Sequence, residues 1–236
     1  MKTSLSLYQL KRRAKCLAQA HHIPLHEALD RVARHEGYSR WSLLVSKHPR
    51  LSVPEIFSRL NDHDMVILGA RPGHGKTLLG IRLLLDAIQA GRKGIYFTLE
   101  CTEQETEKRI RTLAGNLHCA ALLPTVVTSE KISASFMIDY LKHFPRGSVI
   151  LIDYLQLLDQ QRHKPALSAQ LRELRAYAEE TDSIIAFISQ IDRTYQPETR
   201  PVPDLQDLRL PNPIDLRLFT KAFFLHAGKL GARTIA

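Results

Sequence analysis

Residues 65–88 read MVILGARPGHGKTLLGIRLLLDAI. Apolar strand residues lead into a glycine-bearing turn, and Lys76-Thr77 then opens an amphipathic helix. That order is a phosphate-binding loop in the setting its chemistry needs. Backbone N–H groups wrap the phosphates, and the helix N-terminus adds the positive end of a dipole. Ala70, Arg71, Pro72, Gly73, His74, Gly75, Lys76, Thr77 and Leu78 are the candidate nucleotide contacts. Lys76 can reach the β- and γ-phosphates, and the Thr77 hydroxyl can ligate Mg²⁺. Gly73 and Gly75 allow close backbone approach. The pattern G-x-x-x-x-G-K-[ST] asks for glycine at position 70, where this chain has alanine; Gly69 lies one residue early.

Around that loop, apolar runs alternate with amphipathic ones. Strands are expected at 65–70, 94–99, 124–128, 148–154, 183–189 and 222–226, and helices at 76–90, 102–115, 133–144 and 166–181. Thr102 and Glu105 form a capping-box pair at the start of the second helix. Strand–helix alternation with apolar strands predicts an α/β fold with a mainly parallel sheet covered on both faces. Three polar residues end strands where loops gather. Asp153 closes VILID, in the manner of a Walker B aspartate, and would hold Mg²⁺ through its water shell beside Thr77. Glu100 closes GIYFTLE and can take a proton from an attacking water. Gln190 closes SIIAFISQ, where its amide can donate to a γ-phosphate.

The first fifth of the chain has a different character. Residues 1–50 carry ten Lys/Arg against three acids, a net charge of +7, whereas the remaining 23 bases and 21 acids leave only +2. Helical spacing at 5–20, at 24–36 and in a short segment after Ser39 predicts a small helical module with Trp41 in its core. Pro24 suits a first helical position and Gly37 a position just past a helix end. A basic module beside a near-neutral core suggests an anionic partner, nucleic acid being the usual one. Lys11, Arg12 and Arg13 are its candidate DNA contacts. HPRLSVPEI, with two prolines, reads as a linker.

At 236 residues, the chain has room for one full-sized core and a small appendage. With 44% hydrophobic and 24% charged residues, disorder throughout is excluded. No apolar run reaches the roughly 20 residues that span a bilayer. The opening residues lack a signal-peptide core, so a cytoplasmic protein is expected. Three scattered cysteines without a CxxC give no basis for a disulfide framework or a structural zinc.

ARPGHGKT, YFTLE, LIDYLQLL, FISQIDR and RPVPDLQDLR, in that order, resemble the RecA-like ATPase core of DnaB-type hexameric replicative helicases. The resemblance covers about residues 52–226, and the Asp-Tyr-Leu-Gln run is its most distinctive part. It explains Ala70 as a habit of the family. It implies a RecA-like P-loop NTPase at 57–236, preceded by the basic helical module at 1–48 and the linker at 49–56. By the same resemblance Lys76 and Thr77 bind phosphate and Mg²⁺, Glu100 is the catalytic carboxylate, Asp153 the Walker B acid and Gln190 the phosphate sensor. Arg71 and Arg193 become nucleotide or subunit contacts. The family's DNA-binding loops would lie near 159–166 and 193–213, with Arg162, His163 and Lys164 as phosphate contacts.

The implied protein is a homo-oligomer that uses ATP and Mg²⁺ and acts on single-stranded DNA, with the helical module free to meet a protein partner. Departures also count. The acids expected after the DLR motif are replaced by the basic and apolar IDLRLFTKAFFL. Lys229 and Arg233 are either a shortened version of the family's basic finger hairpin, which reaches into a neighbouring active site, or a frayed tail. The departures leave an alternative: a slow ATP-dependent switch, loader or regulator that docks on DNA or a partner without unwinding.

Overall fold

Met65–Ala70 forms β1 and is buried at every residue. The same holds for β2 (Gly94–Thr98) and β4 (Val149–Asp153). A strand with no exposed residue must be covered on both faces, and this is why these stretches are continuously apolar rather than alternating. The computed structural model describes residues 7–47, 56–114, 123–129, 132–153, 155, 158, 166–210, 212 and 214–235. Two compact units divide at Val53/Pro54.

The larger unit is a seven-stranded sheet in the order β3-β2-β4-β5-β1-β6-β7. Its other strands are β3 (Thr125–Val127), β5 (Ile184–Gln190), β6 (Lys221–His226) and β7 (Lys229–Thr234). Every pairing is parallel except β6 with β7. Its helices are α4 (Lys76–Gln89), α5 (Glu103–Ala114), α6 (Ala134–Leu141) and α7 (Leu167–Thr181). All four lie within two or three residues of the expected bounds at each end.

The pleat sorts the core into two layers. Met65, Ile67, Ile95, Phe97, Ile150, Ile152, Ile185 and Phe187 form one cluster with the apolar sides of α6 and α7. The opposite face receives α4, which lies across β1, β2, β4 and β5. Gly80 lets it come close: a Cβ there would sit 2.7 Å from a Leu151 methyl. Thr102 and Glu105 exchange hydrogen bonds at the start of α5, as the sequence expects: each backbone N–H donates to the other's side-chain oxygen at 3.3 Å.

Of the two alternatives for the stretch holding Lys229 and Arg233, the structure has a hairpin and not a frayed tail: residues 229–234 form the antiparallel edge strand β7. The two-residue turn before it has positive φ at both Ala227 (48°) and Gly228 (81°). This is the mirror-image turn whose twist matches a hairpin.

The smaller unit holds α1 (Leu7–His21), α2 (Leu25–His35) and α3 (Trp41–Lys47). Leu10, Ala14, Ala28, Val32, Ala33 and Leu44 are its buried core, with Trp41 packed against them. Gly37 (φ 87°) follows the end of α2; its N–H reaches the Arg34 carbonyl and the Tyr38 N–H reaches that of Ala33. That Schellman ending satisfies two carbonyls the helix leaves open. Pro24 is the N-cap of α2 rather than its first helical residue. The start of α3 is met by Asp30 of α2, which accepts from the Trp41 N–H at 2.8 Å. Among the described residues no helix is long and apolar enough to cross a membrane.

Candidate nucleotide site

Parallel strands bring their C-terminal ends to one edge of the sheet, and in open α/β folds ligands bind outside that edge. Register sets what stands there. Thr98 pairs with Asp153, Asp153 with Ile188, and Ala70 with both Gln190 and Leu225. Four of the residues singled out from sequence, Lys76, Thr77, Glu100 and Asp153, therefore meet although they come from separate stretches of the chain.

The loop from Arg71 to Gly75 joins β1 to α4. Gly73 and Gly75 have φ of 80° and 91°, a region that side chains disfavour. Ala70 is not among the residues with positive φ; it completes β1 and is fully buried. Position 70 therefore needs no glycine here. Gly69 is required for packing instead, since a Cβ there would lie 2.8 Å from the Phe224 ring. Pro72, Gly73 and Leu78 complete the turn and the first helical residues, with Pro72 and Gly73 exposed and Leu78 half-buried.

Asp153 is at the centre of the site and has no solvent exposure. Its Oδ2 accepts from Thr77 Oγ1 at 3.0 Å and from the Tyr96 hydroxyl at 2.8 Å. Its Oδ1 is buried, makes no hydrogen bond, and lies 3.7 Å from Lys76 Nζ. Burial pushes the Asp153 carboxyl above the ordinary carboxylate range, against the opposing pull of Lys76, and Glu100 adds to the rise. Lys76 is itself nearly buried and donates to Glu100 Oε1 at 3.1 Å. The Glu100 N–H is anchored on Thr98 Oγ1 at 3.2 Å. Two carboxylates thus share one ammonium, and the site holds more acceptor capacity than its own donors fill.

That imbalance is the test of fit for a cation. A hydroxyl and a carboxylate oxygen side by side, one lone pair unsatisfied, suit Mg²⁺, which takes one or two protein oxygens and fills its other positions with water and phosphate. Gln190, half-buried, ends β5 beside Ala70, and its carbonyl accepts from the Arg209 N–H at 2.8 Å.

His226 and Ala227, which the sequence does not single out, also border the loop. Arg71 donates to the Arg193 carbonyl at 3.1 Å and lies over the Tyr195 ring. His74 stacks on His226, the last residue of β6, with ring centres 4.7 Å apart. The Ala227 N–H at the hairpin turn donates to His74 Nδ1 at 3.4 Å. The β6–β7 hairpin therefore rests its turn on the phosphate loop. A periodic signal for β7 is weak, because Gly231 and Ala232 interrupt its alternation.

The segment after β5 is folded back rather than open. Ile191 bridges Leu208, Arg200 pairs with Asp207 at 2.8 Å, and Tyr195 is buried with its hydroxyl on the Arg200 carbonyl. Arg233 pairs with Asp204 of its own chain at 2.6 Å, while Lys229 is exposed. In the smaller unit Lys11 and Arg13 are exposed, and Arg13 lies 3.8 Å from Glu36. Arg162, His163 and Lys164, and the side chain of Arg12, lie outside the described residues.

Residues 127–215 match the family model of the DnaB-like helicase C-terminal domain. A probable plasmid replicative DNA helicase of Chlamydia trachomatis is 27% identical over 176 residues, 62% of this chain and 39% of that protein. The replicative DNA helicase DnaB of Geobacillus stearothermophilus is 24% identical over 184 residues, 64% of this chain and 40% of that protein. The chain thus spans about two fifths of the length of the curated relatives it matches.

Among solved structures, an ATPase domain superposes with a TM-score of 0.55 at 20% identity, covering 79% of this chain and 80% of that one. A DnaB-like replicative helicase, solved in a study of its interactions with primase, gives 0.55 at 18% identity over 92% of this chain and 66% of that one. These likenesses carry the fold. Residues 127–215 thus resemble the C-terminal domain of DnaB-like helicases.

Proposed function

We propose that this protein binds ATP with Mg²⁺ at the loop between β1 and α4, hydrolyses it, and uses the cycle to act on single-stranded DNA as an oligomeric DnaB-like helicase. One observation carries the reading: Lys76, Thr77, Glu100 and Asp153 converge at one sheet edge, with Asp153 Oδ1 buried and unsatisfied. Lys76 and the loop N–H groups would take the phosphates. Thr77 directly, and Asp153 through water, would hold Mg²⁺, which supplies charge neutralisation on the β- and γ-phosphates.

Glu100 is held by Lys76 in this structure. Phosphate entering beside Lys76 competes for that ammonium and frees Glu100 to accept a proton from the attacking water. Gln190, beside Ala70, would donate to the γ-phosphate and transmit its presence to the segment after β5. Lys11, Arg12, Arg13, Arg162 and Lys164 are the proposed DNA contacts. The +7 charge of residues 1–50 supports the first three. The smaller unit would also serve a protein partner.

The test separates binding from turnover. Lys76→Ala is expected to abolish binding of a fluorescent ATP analogue. Glu100→Gln is expected to keep that binding and to lower hydrolysis by about 10²–10⁴-fold, the usual worth of a general base. A Lys76→Ala protein that binds nucleotide like the parent would overturn the assignment.

A further inference from the structure

The hydroxyl of Tyr96 has no place in the roles assigned so far. Tyr96 lies in the middle of β2 and is only 2% exposed. Alternation puts it on the same face of β2 as Thr98, whose register partner on β4 is Asp153. Its hydroxyl is therefore one diagonal step from that carboxylate and donates to Oδ2 at 2.8 Å. Thr77 Oγ1 donates to the same oxygen from the α4 side at 3.0 Å. Two donors on Oδ2 leave Oδ1 as the atom that faces Lys76 and carries no hydrogen bond.

A carboxylate can rotate about its Cβ–Cγ bond and exchange its oxygens. A buried phenol on one oxygen sets which of them is presented. Oriented ligands bind metals better because less freedom is lost on binding, and partners behind the ligands commonly account for 10–100-fold in metal affinity or activity. Phenylalanine would fill the same core volume and leave Oδ2 with Thr77 alone. That donor is itself the residue expected to turn toward the cation.

We infer that Tyr96 is a positioning residue for the cation site: its hydroxyl holds Asp153 Oδ2, so that the carboxylate would keep its orientation when Thr77 turns to ligate Mg²⁺. The inference rests on the nucleotide-site reading above and names a residue that reading does not use.

The experiment is titration of the 236-residue chain with Mg²⁺ at fixed fluorescent ATP analogue, beside analogue binding in EDTA and thermal melting in EDTA. For Tyr96→Phe the Mg²⁺ concentration at half-saturation is expected to rise about 10-fold or more. Analogue affinity in EDTA is expected to stay within about twofold of the parent. An unchanged Mg²⁺ half-saturation overturns the inference and leaves the nucleotide site standing. A parallel loss of affinity in EDTA also overturns it, since the hydroxyl would then serve the fold rather than the cation. Should Tyr96→Phe fail to fold, Tyr96→Met, whose flexible side chain fills the core without a hydroxyl, takes the same titration in its place; a Mg²⁺ half-saturation equal to the parent's overturns the inference. A parent protein that binds no nucleotide at all removes both readings together.

Discussion

Asp153 is the residue on which the proposed chemistry turns, and its surroundings explain why a buried acid is tolerated. A carboxylate without solvent contact would ordinarily be destabilising. Here one oxygen takes two hydroxyl donors and the other faces an ammonium. Removing a partner leaves a buried charge uncompensated, whereas adding a cation completes the set.

The histidine pair on the loop carries a pH signature of its own. Burial, then the neighbouring His226 and Arg71, hold His74 below the ordinary imidazole range. Burial and Arg71 do the same to His226, with Glu198 pulling the other way. Both groups are therefore favoured neutral in the fold, while an unfolded chain titrates them near 6.5. Below that pH the unfolded state binds more protons, so stability is present above about pH 6.5 and falls as the pH drops. His226→Gln is expected to flatten the fall in melting temperature between about pH 7 and pH 5. An unchanged slope would contradict this.

Elements bring these residues together, and their legibility in the sequence differs for physical reasons. Lys76 and Thr77 could be read directly, because a glycine-bearing turn between a strand and a helix is a local pattern. Asp153, Glu100 and Gln190 could be read because each ends an apolar run. Tyr96 could not. Inside β2 it reads as a core aromatic, and only the register between β2 and β4 brings its hydroxyl to Asp153. The strand β7 stays undecided in the sequence because Gly231 and Ala232 carry no apolar alternation and its turn is Ala-Gly rather than Asn-Gly. Its seat on the phosphate loop, through His226 and Ala227, is a tertiary fact with no sequence signal.

Gly80 is the element-level counterpart of Asp153. It sets how close α4 lies to β4, and hence where Thr77 stands. Gly80→Ala would place a Cβ 2.7 Å from Leu151 and 3.2 Å from Ile188, inside a packed layer. Overpacking of this kind costs about 1–3 kcal/mol. The expected result is a lower melting temperature and weaker nucleotide binding. Leu151→Val in the same chain should recover part of both, and recovery of neither would show that the close approach of α4 is not what Gly80 provides.

The whole molecule joins a near-neutral α/β unit, whose residues 127–215 resemble the DnaB-like helicase C-terminal domain, to a small unit with a net charge of +7 over its first fifty residues. Arg233 is engaged by Asp204 within its own chain, and Lys229 stands exposed near the hairpin turn. A finger acting on a neighbouring copy would therefore use Lys229 directly, or Arg233 only after the Asp204 pair opens. The proposed coupling of hydrolysis to DNA belongs to this level, because it would need the site, the segments beyond Asp153 and Gln190, and neighbouring subunits to act together.

Steady-state ATP hydrolysis with and without single-stranded DNA, beside Glu100→Gln, tests that coupling. We predict turnover that requires Mg²⁺, rises with DNA and collapses in Glu100→Gln. Nucleotide binding with negligible turnover in both conditions, or turnover indifferent to DNA and to Glu100→Gln, would contradict it.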